Sequence, residues 1–204
     1  MDIIIFFWRD FMAITKEAIV SASLEILNRD GISNLSMRTL AKELDIKAAS
    51  LYWHIKDKQA LIDLIAENLN NEIVLPVEID DAKEALTALA LEVRRVLLNT
   101  RDAVEVFAQS MPMTPSRLKA VKFTLSTLSK YGVSDKNCIV AGNLYNNYVL
   151  SFVADEYRAK QFTFSFEEIT AFTSFLGEQY HFGFDFEEQF LYGLRVLFAG
   201  LLTE

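Results

Sequence analysis

The stretch that most constrains this chain is residues 36–58, where two short helical patterns are separated by one break. Leu40, Ala41 and Leu44 fall on one helical face, and the pattern stops at Asp45 and Ile46. A second short helix is predicted over about 47–53, with Ala48, Ala49 and Leu51 as its small or apolar members and Ile55 just behind them. Two short helices joined by a tight turn make a helix-turn-helix, whose second helix can enter a DNA major groove. Ser50, Tyr52 and His54 are its exposed candidates, flanked by Lys47, Lys56 and Lys58. Hydroxyl and ammonium groups suit phosphate oxygens, which fix a protein's register on the duplex. The same pattern also fits two core helices with a solvated polar face, and periodicity alone does not separate these readings.

Charge bears on that choice. The 204 residues carry a net charge of −8, which argues against a nucleic-acid binder if it is spread evenly. It is not: Arg38, Lys42, Lys47, Lys56 and Lys58 outnumber Glu43, Asp45 and Asp57 within the same window. A small basic patch can bind phosphates while the acidic remainder keeps the protein soluble. An apolar share of 51% supports a sizeable core, and three Pro with seven Gly leave little room for a β-rich fold.

Taken in order, the remaining elements also read as helices, so the predicted class is all-α. Thr15 looks like an N-cap, with Ile14 and Ile19 as a hydrophobic staple, and Gly31 stops the helix that follows. Ser36 caps the next helix, Asp45 occupies the turn after it, and Asp57 caps a helix through Leu69. Pro76 breaks periodicity and marks a domain junction. An amphipathic helix is predicted from Asp81 to about Thr100 and a short one from Ala103 to Ala108. Thr114 and Pro115 read as an N-cap followed by Pro at the first helical position, with Gly132 as the stop. Ser134 opens a helix to about Tyr157 that is apolar nearly all round, and Ser165 with Glu168 forms a capping box, stapled by Phe164 and Ile169. The last helix spans about Asp185 to Leu202. The expected organisation is an appendage over 1–12, a helix-turn-helix domain over 13–70 and a second helical domain over 71–204.

Catalytic and metal motifs are missing. The sequence has no Cys-x-x-Cys, no His-Glu-x-x-His, no glycine-rich phosphate loop and no Gly-x-Ser-x-Gly elbow. An enzyme is not expected, nor is a cofactor or a metal. Cys138 is the single cysteine, so no intrachain disulfide can form, and a reducing cytoplasm fits. The apolar run Ile3 to Trp8 ends at Arg9, well short of the ~20 residues of a membrane span. It is read as an appendage whose removal, residues 1–11, leaves dimerisation and DNA binding nearly intact. His181, in an aromatic loop, is read as a surface or satisfied residue rather than a ligand.

Several segments resemble the tetracycline-repressor (TetR) family. They are Ile14 to Ile19, Gly31-Ile32, Leu35 to Leu44 and, most specifically, Leu51-Tyr52-Trp53-His54-Ile55-Lys56 with Leu61. Beyond them, Val93 to Leu98, Arg101-Asp102, Tyr131-Gly132 and Gln189 to Leu194 are similar to the tetracycline-repressor branch itself. The resemblance implies a transcriptional repressor that binds a near-palindromic operator as a homodimer and is released by a small-molecule effector. The surplus apolar surface of the last two long helices fits a four-helix dimer interface, although a monomer could bury both internally. A small-molecule binding bundle, or an effector-independent regulator, is the alternative reading.

Matched residue by residue, the resemblance implies DNA contacts from Met37, Arg38, Lys47, Ala48, Ala49, Ser50, Tyr52, His54 and Lys58. Arg38 is the base reader, because a guanidinium can bond both O6 and N7 of guanine. In the second domain the branch binds a magnesium chelate of its inducer through two histidines, where this chain has Asn71 and Phe107. Leu89 stands for an Asn, Val93 for a Phe and Thr124 for a Gln, while Ser110 keeps a hydroxyl. Asp155 matches an acidic position that reaches the partner subunit's site. No imidazole remains to ligate a metal. A metal-independent, largely hydrophobic effector is therefore predicted, without useful affinity for tetracycline. Its pocket would be lined by Leu89, Val93, Phe107, Leu125 and Ile139, with Asn143 and Asn146 supplying hydrogen bonds. A filled core without a cavity is the competing expectation for these residues.

Overall fold

The computed structural model describes residues 14–162, 165–177 and 185–202, and every regular element among them is helical. The appendage over 1–12, Phe164 and His181 lie outside the described residues. The chain separates into two compact units. One comprises Met1–Glu72 with Asn99–Arg117, the other Ile73–Leu98 with Leu118–Glu204.

In the first unit α1 (Lys16–Asp30) is capped as expected, the Thr15 hydroxyl accepting from Ala18 N at 3.1 Å. Its buried stripe is Ile19, Val20, Ala22, Ser23, Ile26 and Leu27. Ser23 is tolerated there because its hydroxyl donates to the Ile19 carbonyl at 2.7 Å. Gly31 ends α1 at φ 82°, and a Cβ there would come within 3.0 Å of the Arg101 and Asp102 side chains. A 3-10 turn, Ile32–Asn34, leads to α2 (Met37–Glu43), where Ser36 and Thr39 form a reciprocal capping box. Asp45 turns the chain at φ 53° into α3 (Ala48–Leu51). This helix is shorter than the sequence suggested. Residues 52–55 still bond backward, His54 N to Leu51 O at 2.9 Å and Ile55 N to Leu51 O at 3.0 Å. α4 (Lys58–Asn71) is capped by Asp57, whose carboxylate accepts from Ala60 N at 2.9 Å.

Residues 99–117 also belong to this unit. α6 (Ala103–Gln109) packs on α4. The Asp102 carboxylate, on a residue at φ 57°, accepts from Ile32 N at 2.7 Å, and Asn28 Oδ1 accepts from Arg101 N at 2.9 Å.

The second unit contains α5 (Ala82–Leu98), most of α7 (Pro115–Tyr131), α8 (Asp135–Gln161), α9 (Phe166–Leu176) and α10 (Phe186–Leu201). The helices α5, α8 and α10 pack on one another. Leu86, Leu89, Tyr145, Val149, Val153, Phe190, Leu194 and Phe198 are buried. Tyr145 donates its hydroxyl to the Leu86 carbonyl at 2.7 Å, which satisfies the one polar atom it buries. Glu156 is 1% exposed and accepts a two-pronged bond from Arg94, at 2.7 and 2.8 Å, and another from Lys160 at 2.7 Å. Ser165 and Glu168 form the expected box, and Asp185 caps α10 by accepting from Glu188 N at 2.9 Å.

One expectation at a helix start fails. Ser134 opens α8 as expected, without a side-chain cap bond. Thr114 does not cap α7, since its buried hydroxyl has no hydrogen-bond partner among the described residues. Glu67 of α4 takes that role, accepting from Ser116 N at 3.1 Å and from Ser116 Oγ at 2.5 Å.

Candidate nucleic-acid interface and effector-site residues

The helix-turn-helix is held from behind by apolar anchors. Leu40, Ala41, Leu51 and Ile55 are buried, so the opposite side of α3 and of the turn after it is left outward. That side presents Lys47, Ala48, Ala49, Ser50, Tyr52, Trp53 and His54, with Arg38, Lys42, Lys56 and Lys58 around it, all exposed. None of the side chains of Arg38, Lys47, Ser50, Tyr52, His54 and Lys58 is engaged in the protein's own hydrogen bonds or ion pairs among the described residues. Two of the three acids of the same window, Glu43 and Asp57, are tied back into the unit, while Asp45 is exposed. Arg29 grips Glu43 at 3.0 and 2.8 Å, and this hydrogen bonding lowers the Glu43 pKa. Asp57 is turned to the start of α4. Arg38, Lys47, Lys56 and Lys58 are thus left without an ion-pair partner among the described residues, which is what phosphate oxygens require.

Met37 is the exception among the predicted contacts. It is buried, at the first position of α2, on the stripe it shares with Leu40 and Ala41 three and four residues on. That spacing draws its thioether into the core and away from the exposed set.

The predicted effector residues are divided between the two units. Leu89 is buried and Val93 half-buried on α5. Phe107 and Ser110 are buried in the other unit, on and just after α6. Ser110 spends its hydroxyl internally, donating to the Phe107 carbonyl at 3.0 Å and accepting from Arg117. Thr124 likewise donates to Ala120 O of its own helix at 2.9 Å. Leu125 is half-buried, and a Cβ on Gly142 would lie 3.0 Å from its methyl. Ile139, Asn143 and Asn146 do not join the buried residues. They share the exposed side of α8, Ile139 at 65%, because a helix apolar on most faces does not declare which stripe is inside.

Arg117 was invisible to sequence reasoning. Its guanidinium lies 4.9 Å above the Phe107 ring and donates to the Phe107 carbonyl at 3.2 Å. Nothing in the local pattern around Pro115 distinguishes it from a surface arginine. Among the described residues no group of three or more His, Cys, Asp or Glu is placed to hold a metal, and no helix is long and apolar enough to cross a membrane.

Comparison with known proteins bears on both units. Residues 19–65 match the family described as bacterial regulatory proteins, tetR family, and residues 75–204 match the tetracyclin repressor-like C-terminal domain. The tetracycline repressor protein class C of Escherichia coli is 37% identical over 108 residues, 52% of this chain and 49% of its own length. The chain spans about half to three-fifths of the length of the first curated relatives it matches. Among solved structures, BioQ of Mycobacterium smegmatis superposes with a TM-score of 0.78 at 28% identity, covering 93% of this chain and 98% of that one. A second BioQ structure, holding its double-stranded DNA operator, matches with a TM-score of 0.76. ActR of Streptomyces coelicolor, in complex with (S)-DNPA, has a TM-score of 0.76 at 26% identity, covering 93% and 98%. These relatives span more than one branch, so the likeness is to the wider family and not to the tetracycline repressors alone.

Proposed function

Because the chain belongs to the TetR family of bacterial regulators, we propose that it is a cytoplasmic, ligand-responsive repressor that binds a near-palindromic operator as a homodimer. The observation that carries this reading is the outward set on and around α3, anchored from behind by buried Leu51 and Ile55 and bearing uncompensated cations. The match to BioQ, whose structure with an operator is known, supports DNA as the partner. The match to ActR with (S)-DNPA supports a small molecule as the signal. Such an effector, largely hydrophobic, releases the operator if it binds better to a geometry that DNA does not accept. By linkage, DNA then weakens effector binding by the same factor.

Support for the dimer comes from apolar surface left uncovered on two helices of one unit. Ile139, Val140 and Leu144 on α8 and Tyr192 and Val196 on α10 are all at least half exposed.

Selection of bound sequences from random DNA tests the proposal. The expected product is an inverted repeat whose half-sites are about 34–36 Å apart, one helical turn. Affinity should fall steeply with salt as counterions are released. Arg38→Ala should weaken binding to the selected site by about 1–3 kcal/mol and relax one base position. An equal loss on every sequence would make Arg38 a phosphate contact, and failure to enrich any site would overturn the repressor reading.

A further inference from the structure

Arg117 carries its charge into a half-buried place with no carboxylate in ion-pair contact among the described residues, the Asp63 charge acting on it only from farther off. Nη1 is occupied by the Phe107 carbonyl and the Ser110 hydroxyl, and one face of the guanidinium is covered by the Phe107 ring. Nε and Nη2 have no acceptor among the described residues. The acids of α4 that reach this turn bond to its other residues and not to Arg117. Asp63 Oδ1 accepts from Gln59 Nε2 at 3.1 Å and from Met111 N at 2.8 Å, and Glu67 holds Ser116. Burial pushes the Arg117 pKa down, against an upward pull from the Asp63 charge. In the same turn Thr114 buries a hydroxyl that bonds to nothing in the protein.

A guanidinium does not escape such a place by losing its proton. A half-buried guanidinium with Nε and Nη2 unmet is costly, and an arriving anion supplies the missing acceptors. The unused Nε and Nη2 hydrogens form one edge of the fork that a carboxylate matches with two parallel bonds. We infer that the turn over residues 110–117 is an anion-binding site, in which Arg117 receives the carboxylate of an otherwise apolar effector and Thr114 offers it a further donor. This rests on the effector-responsive reading and narrows it. The signal is a hydrophobic acid, whereas the lining expected from the sequence is mostly apolar and carries no charged group.

Isothermal titration of the full chain with 2-naphthoate and with decanoate, each beside its neutral amide, tests the site. At least one acid should bind about tenfold or more tightly than its amide, as a charge-assisted pair implies. The preference should collapse in Arg117→Met, which keeps an unbranched stem on the Phe107 ring, and return in part in Arg117→Lys. Thr114→Val should reduce it less. Equal affinity of acid and amide, no binding of either pair, or a preference that survives Arg117→Met would overturn the inference. The comparison of acid with amide on the unaltered chain holds even if a variant fails to fold. It is also independent of DNA, so a failed operator selection would remove the repressor reading while calorimetry still decides the anion site.

Discussion

Glu156 shows what a single buried charge demands. Desolvation would raise its pKa, but hydrogen bonds from Arg94 and Lys160 outweigh it and hold the carboxyl below its ordinary 4.5. A carboxylate whose folded pKa is depressed contributes stability above its unfolded pKa and loses it as pH falls through the folded value. Glu156→Gln leaves Arg94 buried beside Phe190 and only loosely paired to Glu187 at 3.7 Å. The expected cost is about 3–5 kcal/mol in denaturant unfolding at neutral pH. The variant should also lack the part of the acid destabilisation that the unaltered chain shows below about pH 4.5. The neighbouring pair Asp155 and Arg158 is exposed on both sides and contributes little. Within α8 the spacings Asp155–Arg158 and Glu156–Lys160 are equally local, i,i+3 and i,i+4. The burial that separates them was not legible in the sequence, because Arg94 lies 62 residues from Glu156.

At the scale of elements, two left-handed aspartates make a useful contrast. Asp45, at φ 53°, serves only the turn between α2 and α3, and its exposed side chain forms no hydrogen bond or ion pair among the described residues. Asp45→Gly removes the left-handed strain and should stabilise the chain by roughly 1 kcal/mol, about 2–4 °C in Tm by calorimetry. Asp102, at φ 57°, holds Ile32 N with its carboxylate, so Asp102→Gly should relax the backbone yet lower Tm. A rise in Tm for Asp102→Gly would mean that this bond is worth less than the strain. The reach of α8 also follows from local chemistry. It continues past Tyr157 to Gln161 because Lys160 pairs with Glu156 and two cations sit in its last turn, favourable to the helix dipole.

At the scale of the whole molecule, the outward apolar faces of α8 and α10 bear on assembly. Val196→Asp places a charge in the middle of the α10 face without touching the buried Leu194 and Phe198. On the proposed homodimer, sedimentation equilibrium should report dimers for the unaltered chain and monomers for this variant. Operator affinity should fall by about 10²-fold or more, since linked half-site binding is lost. A variant that stays dimeric would place the interface elsewhere.

What the sequence determined by itself is what lies within one or two helical turns. Thr15, Ser36, Asp57 and Ser165 each meet a backbone N–H three residues on, and the buried stripe of α1 repeats at three and four. Such contacts are fixed by helix geometry alone, so the helix-turn-helix is legible in the order of its residues. The tertiary structure decided what depends on partners distant in the chain. It grouped Asn99–Arg117 with the N-terminal unit and gave the capping of Ser116 to Glu67, 49 residues away. It also turned Met37 inward, set Ile139, Asn143 and Asn146 outward, and left the Arg117 guanidinium in a turn without an ion-pair partner among the described residues. The physical reason is the same in each case. A helix with apolar residues on several sides, or an acid on an exposed-looking face, acquires its role only from the surface packed against it.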